Sequence, residues 1–80
     1  MTRKPMIQIA VGQTWRPTNG EAQREVEEHY AARIADKHPL GTILVLWQGP
    51  HSGAWGRCTE RSFRQWVART KATLLRDVAA

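Results

Sequence analysis

The stretch that decides the fold is Cys58-Thr-Glu-Arg-Ser-Phe-Arg-Gln-Trp-Val-Ala-Arg-Thr-Lys71. Within it, Ser62 and Gln65 have the spacing of a capping box, so we predict a short helix over residues 62–70. At helical spacing, four side chains share one face: Phe63, Trp66, Val67 and Thr70. The other face carries the arginines Arg61, Arg64 and Arg69. The helix is therefore predicted to give two large aromatic rings to a core and to present arginines to solvent.

The segments on either side of this helix predict strands. Residues 42–47, Thr-Ile-Leu-Val-Leu-Trp, form a continuous apolar run that is typical of a strand covered on both faces. Apolar side chains alternate from Ile7 to Trp15, which indicates a half-buried first strand with a bulge or bend at Gly12. Composition assigns three further segments: a short strand at 57–59, a last strand at 71–76 and a glycine-rich loop at 49–56.

The sequence of residues 21–36 is compatible with either a helix or a strand. Glu, Ala, Gln and Arg dominate them, and apolar side chains recur every four residues, which favours a helix. The same segment also alternates between apolar and polar residues from Val26 to Ile34, as a strand does, and only Glu28 breaks the alternation. Propensity alone favours the helix.

Four motifs occur in a familiar order along the chain: V-G-x-x-W at residues 11–15, Arg24-Glu-Val-Glu-Glu28, an apolar strand ending at Trp47, and an F-x-x-W helix followed by a short final strand. In this order the chain resembles a diffuse group of small proteins of phages and mobile elements. The resemblance implies an SH3-like, partly open barrel. It also implies a strand within residues 21–36, because Arg24–Glu28 matches the second strand of the group. Members of the group mostly lack assigned activities, so the resemblance implies no functional residues.

The predicted fold is therefore mainly β, an SH3-like, partly open barrel of four or five strands with one short helix at 62–70. The alternative is an α+β fold with a first helix at 21–36. The chain has 80 residues, which suits a single domain, with a flexible arm at 1–5, the domain at 6–76 and a frayed tail at 77–80. Three of the four tryptophans are expected to lie at least partly in the core, and Trp55, which lies among glycines, is expected to be the exposed contact residue.

Cysteine usage and hydropathy indicate the cellular compartment of the protein. The single cysteine, Cys58, excludes an internal disulfide and suits a reducing cytoplasm, here that of a bacterial host. The basic N-terminal residues precede no apolar run long enough for a signal peptide, and no segment is long enough to span a membrane. We therefore expect a cytoplasmic protein that has no membrane partner.

Charge divides the chain into an acidic middle and a basic end. Residues 21–36 hold five of the seven acidic residues, and residues 57–76 hold six of the twelve basic ones. A basic surface favours nucleic acid or an acidic protein surface, although a solvated face that keeps the domain soluble has the same composition. The acidic strip around Glu25–Glu28 could meet a basic partner.

No pattern of catalytic or metal-binding residues is present. The histidines and Cys58 lack the C-x-x-C and H-x-x-x-H spacings of zinc sites, so no metal and no cofactor are predicted. Cys58 precedes a predicted helix, but its sequence context favours a small packed side chain over a nucleophile. We therefore expect a protein that is not an enzyme.

The sequence favours a non-catalytic binding module that acts stoichiometrically on a host macromolecule, for example an anti-defence inhibitor of a host nucleoprotein complex. The alternative is a regulatory protein that binds nucleic acid directly. The partner is then a host or phage protein or a nucleic acid. The candidate contact residues are Arg57, Arg61, Arg64, Arg69, Lys71, Trp55 and His51.

Overall fold

The computed structural model of the chain describes residues 8–33 and 37–77. Its elements are, in order, β1 (Thr14–Arg16), β2 (Arg24–Ala31), β3 (Ile43–Gln48), β4 (Trp55–Thr59), α1 (Glu60–Thr70) and β5 (Thr73–Arg76). The strands form one antiparallel sheet in the order β4-β3-β2-β1-β5. The first strand thus pairs with the last, and the mainly β, SH3-like, partly open barrel predicted from the sequence is confirmed.

The ambiguous acidic segment is a strand from Arg24 to Ala31, so the alternative of a first helix at 21–36 is wrong. Its irregular alternation is explained by a shift of register opposite β3. Val26 pairs with Trp47, whereas Glu28 pairs with Leu46, which makes the intervening residue the extra one of a β-bulge. The bulge moves every later side chain of β2 to the face opposite the one that a regular strand would give it.

Helix α1 begins two residues earlier than the capping-box prediction. Its N-cap is Thr59, whose hydroxyl oxygen accepts a hydrogen bond from the backbone N–H of Ser62 at 3.1 Å. At the other end, Lys71 adopts a left-handed conformation with φ 50°, and its N–H donates to carbonyls of the last turn. The side chains predicted to face the core are the buried ones: Phe63, Trp66, Val67 and Thr70.

The core lies between α1 and one face of the sheet, which we call the inner face. It is formed by Ile9, Trp15, Val26, Val45, Phe63, Trp66 and Val67, with Trp47, Cys58, Ala72 and Leu74 packed at its border. Trp15 and Trp66 are buried, Trp47 is half-buried, and Trp55 is 73% exposed. The sequence prediction for the tryptophans, including the exposure of Trp55, is confirmed.

The first strand is shorter than the alternation from Ile7 to Trp15 predicts, because a turn at Val11 and Gly12 precedes it. Gly12 has φ 95°, a conformation that glycine adopts without strain. The turn is held to β2, since the Gly12 N–H donates to the Val26 carbonyl and the Val26 N–H donates to the Gln13 carbonyl. The predicted arm at 1–5 and residues 78–80 of the predicted tail lie outside the described residues.

Candidate functional site

The sheet face opposite the core, which we call the outer face, carries three rows of paired side chains across β2, β3 and β4. Cross-strand partners lie on the same side of a sheet. The register therefore gives the rows Glu25–Gln48–Trp55, Glu28–Leu46–Arg57 and Tyr30–Leu44–Thr59. Within these rows, the Arg57 guanidinium donates a hydrogen bond to the Tyr30 hydroxyl at 3.3 Å. Two predicted contact residues, Trp55 and Arg57, thus share this face.

A groove of about 520 Å³ runs across the outer face beside Trp55. Its walls include the exposed indole of Trp55, the half-buried Leu46 and the carboxylates of Glu27 and Glu28. Glu27 is the extra residue of the β-bulge, which is why two consecutive glutamates both border the groove. Within residues 8–33 and 37–77, neither carboxylate takes part in an ion pair. The groove therefore combines a large aromatic surface with two carboxylates that form no ion pair within the described part of the chain.

The arginines of α1 lie on the opposite side of the sheet, because the helix packs on the inner face. Arg64 is paired with Glu60 at 2.7 Å, one helical turn earlier, and Arg69 is paired with Glu21 at 3.0 Å. The Glu60 carboxylate also forms a hydrogen bond with the His29 ring. Arg61 is exposed in the first turn of the helix and belongs to no ion pair within the described part of the chain.

The remaining predicted residues lie at the ends of elements. Lys71 is exposed at the C-terminal end of α1, and His51 is exposed in the turn between β3 and β4. The seven predicted contact residues therefore do not form one surface. Trp55 and Arg57 belong to the outer face, whereas Arg61, Arg64, Arg69 and Lys71 belong to the helix.

One feature that the sequence analysis did not identify is the environment of Arg24. This residue pairs with Trp15 across β1 and β2, so it projects from the inner face. Its guanidinium carbon lies 4.1 Å from the ring centroid of Trp47 and 4.2 Å from that of Trp66. Stacking of this kind is a favourable use of arginine, which is weakly hydrated and planar. The sequence does contain a signal for this position. Arg24 lies two residues before the buried Val26, so a strand places the cation on the same apolar face.

Arg24 also influences Cys58, which lies at the border of the core on β4, two strands away from β2 in the sheet. Burial raises the pKa of the Cys58 thiol, and the positive charge of Arg24 opposes that shift only in part. The thiol is consequently neutral at physiological pH. This agrees with packing, rather than nucleophilic chemistry, as the role of the side chain.

Comparison of the chain with protein-family models, with curated proteins and with solved structures gave no match. No helix in residues 8–33 and 37–77 has the length and apolarity needed to cross a lipid bilayer. The same residues contain no cluster of three or more His, Cys, Asp or Glu side chains arranged to hold a metal ion.

Proposed function

We propose that this protein is a non-catalytic binding module of phage or mobile-element type, which acts by stoichiometric contact with a host protein in the bacterial cytoplasm. The observation that supports this proposal is Trp55, 73% exposed beside a groove bordered by Glu27 and Glu28. Exposed tryptophan contributes large contact area, and tryptophans are enriched among the residues that dominate the affinity of protein interfaces.

The charge of the outer face selects the class of partner. Three glutamates, Glu25, Glu27 and Glu28, lie on or beside this face and outnumber Arg57, the arginine of its three rows, so phosphate groups would be repelled. A basic protein surface is attracted instead, and complementary charge accelerates association and excludes wrong partners. A protein surface that normally binds nucleic acid is basic for the same reason, so the outer face suits an inhibitor of a host nucleoprotein complex, such as one used in defence.

The proposal is tested by affinity capture with the tagged protein from a bacterial host lysate. We expect a protein that is retained by the wild type and released by DNA or RNA added as competitor. Trp55→Ser should abolish retention, and Glu27→Lys with Glu28→Lys should weaken it in a salt-dependent manner. Leu40→Ser is the matched control, because Leu40 is also an exposed apolar residue, at 62%, but does not border the groove. Equal retention by Trp55→Ser and Leu40→Ser would contradict the proposal.

Direct binding of nucleic acid is the second candidate, and it is supported by two exposed basic residues at opposite ends of α1: Arg61, which has no ion pair within residues 8–33 and 37–77, and Lys71. Phosphate contacts predict an affinity that falls steeply with the logarithm of salt concentration. Binding of a labelled oligonucleotide should be compared between wild type and Arg61→Glu with Lys71→Gly. Glycine adopts the left-handed conformation of Lys71 easily, so the variant is expected to stay folded. No binding by the wild type at low salt would exclude this function.

A further inference from the structure

The guanidinium of Arg24 is held on the inner face between two tryptophan rings. It lies over the rings of Trp47 and Trp66, and within residues 8–33 and 37–77 it makes no hydrogen bond or ion pair. An arginine fork carries five N–H donors in a fixed plane. Two indoles therefore fix the orientation of a cation whose donors remain available, which is the arrangement that recognition of a carboxylate or phosphate requires.

Trp66, one of the two rings that contact Arg24, carries a second hydrogen-bond donor. The indole N–H of Trp66 is fully buried, in a residue that is only 5% exposed, and it has no hydrogen-bond partner among the described residues. Leaving a buried donor unsatisfied costs free energy, so such groups are rare in folded proteins. Trp66 therefore places a second, unpaired donor beside the guanidinium of Arg24.

Glu21 lies next to both donors, and its carboxylate indicates the kind of group that they can bind. Its carboxylate is bonded to Arg69 at 3.0 Å and to the Asn19 amide at 2.6 Å. These two contacts, Arg69 first, lower the pKa of Glu21, and the indole N–H of Trp66 adds the weakest contribution without forming a hydrogen bond. The carboxylate also interacts favourably with the charge of Arg24. A carboxylate of the chain itself thus already lies among these cations.

A cavity of about 190 Å³ adjoins this group, bordered by Glu21, Arg24, Trp47 and the small residues Ala22, Ser52 and Ala54. We propose that Arg24, supported by Trp47 and Trp66, binds a single carboxylate of a peptide segment, either an acidic side chain or a C-terminus, which enters this cavity and displaces Glu21 from Arg69. The pair between Glu21 and Arg69 is exposed, and exposed ion pairs are weak, so its displacement costs little.

A carboxylate is favoured over a nucleic-acid backbone because of the charge around the cavity. Glu21 borders the cavity, and Glu27 and Glu28 lie on the other side of Trp47, which borders both this cavity and the groove of the outer face. A single carboxylate brings one charge to the guanidinium. A phosphodiester chain would bring further negative charges towards these glutamates. The proposal concerns the inner face and does not depend on the function proposed for the outer face.

The site is tested by following the backbone and indole N–H signals of the isotopically labelled protein by NMR during titration with N-acetylglycine, whose carboxylate resembles a peptide C-terminus. Saturable shifts of the Trp66 and Trp47 indole signals are expected. N-acetylglycinamide, the neutral analogue, should give none, and inorganic phosphate should bind more weakly. No saturable shift, equal shifts with the neutral amide, or tighter binding of phosphate would each overturn the proposal.

Two substitutions identify the residues involved. Glu21→Gln removes the competing carboxylate and should tighten N-acetylglycine binding about two- to fivefold, the range that corresponds to an exposed ion pair. Arg24→Lys keeps the charge and the aliphatic stem but loses the planar fork, and should weaken binding about tenfold or more. The gain in Glu21→Gln cannot result from unfolding. Unchanged affinity in either variant would show that Arg24 does not bind the carboxylate in competition with Glu21.

Discussion

The side-chain oxygen of Gln13 accepts a hydrogen bond from the indole N–H of Trp15 at 3.2 Å, two residues further along the chain. Gln13 is 4% exposed, and the same oxygen also accepts from the Ala10 N–H at 3.0 Å. Its amide nitrogen donates to the Gln8 carbonyl at 2.9 Å. One buried amide therefore satisfies the polar groups of the irregular segment that leads into β1.

We predict that Gln13→Leu lowers the free energy of unfolding by about 2 kcal/mol or more, because it leaves the buried indole N–H of Trp15 and the partly buried N–H of Ala10 without their acceptor. Urea denaturation followed by tryptophan fluorescence measures the change. Gln8→Ala is the control, because Gln8 contributes only its backbone carbonyl to this network. A Gln13→Leu protein as stable as Gln8→Ala would show that the network adds nothing to stability.

The start of the helix provides a second prediction, since the sequence pattern and the structure name different caps. Thr59→Ala should lower the free energy of unfolding by about 1 kcal/mol, the usual loss for an N-cap. Ser62→Ala should cost less than about 0.5 kcal/mol, because it keeps the backbone N–H bond to Thr59 and removes only the exposed hydrogen bond that the Ser62 hydroxyl accepts from Thr59. Thermal or urea unfolding of both variants decides between them, and the reverse order would restore Ser62 as the cap.

Much of the fold could be predicted from the sequence because its signals are local. The buried face of α1 follows from its helical periodicity, and β3 follows from its continuous apolar run. The strand at Arg24–Ala31 needed the resemblance as well, because the β-bulge disrupts its alternation. Val26 is buried on the inner face, yet Tyr30 lies on the outer face, although regular alternation gives both residues the same side.

The candidate sites could be predicted only in part, because they depend on contacts between distant segments. The exposure of Trp55 follows from its glycine-rich surroundings. The stack of Arg24 with Trp47 and Trp66 joins three elements that only the register of the sheet and the packing of α1 bring together. The arginines of the helix have the expected positions, but the pairing of Arg69 with Glu21 could not be read from a spacing of 48 residues.

Gly56 gives a third prediction, because the Trp47 ring lies against it. A Cβ atom added at Gly56 would come within 2.6 Å of the Trp47 ring, so Gly56→Ala must displace the indole. We expect a loss of about 1–3 kcal/mol in the free energy of unfolding, as for other overpacked sites, and a shift of the Trp47 indole N–H signal. The same substitution in a Trp47→Leu background should cost much less. Equal costs in the two backgrounds would contradict the contact.

Cys58 gives a pH-dependent prediction. Burial raises its pKa above the ordinary value of 9.0 in the folded protein, so the thiolate is favoured in the unfolded chain. The resulting stability is complete below pH 9 and is lost as the pH rises from the unfolded pKa through the folded pKa. Wild type should therefore lose more stability than Cys58→Ala between neutral pH and this alkaline range. Alkylation by iodoacetamide should also be slow in the folded state. Parallel pH profiles for the two proteins would contradict the shift.

The two arginines nearest to the start of α1, Arg61 and Arg64, should respond oppositely to charge reversal. Arg61→Glu places an acid in the first turn of α1, where the helix dipole favours negative charge, so the free energy of unfolding should stay unchanged or rise by a few tenths of a kcal/mol. Arg64→Glu breaks the pair with Glu60 and creates like charges one turn apart, so it should cost about 0.5 kcal/mol.

Urea denaturation at low salt measures both effects, with Arg61→Gln and Arg64→Gln as controls that remove charge without reversing it. High salt should reduce the difference between the reversed variants, because the helix surface is exposed to solvent. If both reversals had the same effect, the pairing of Arg64 with Glu60 would contribute nothing. The outcome also shows which arginine can have its charge reversed in a binding assay without a loss of stability. We expect this residue to be Arg61.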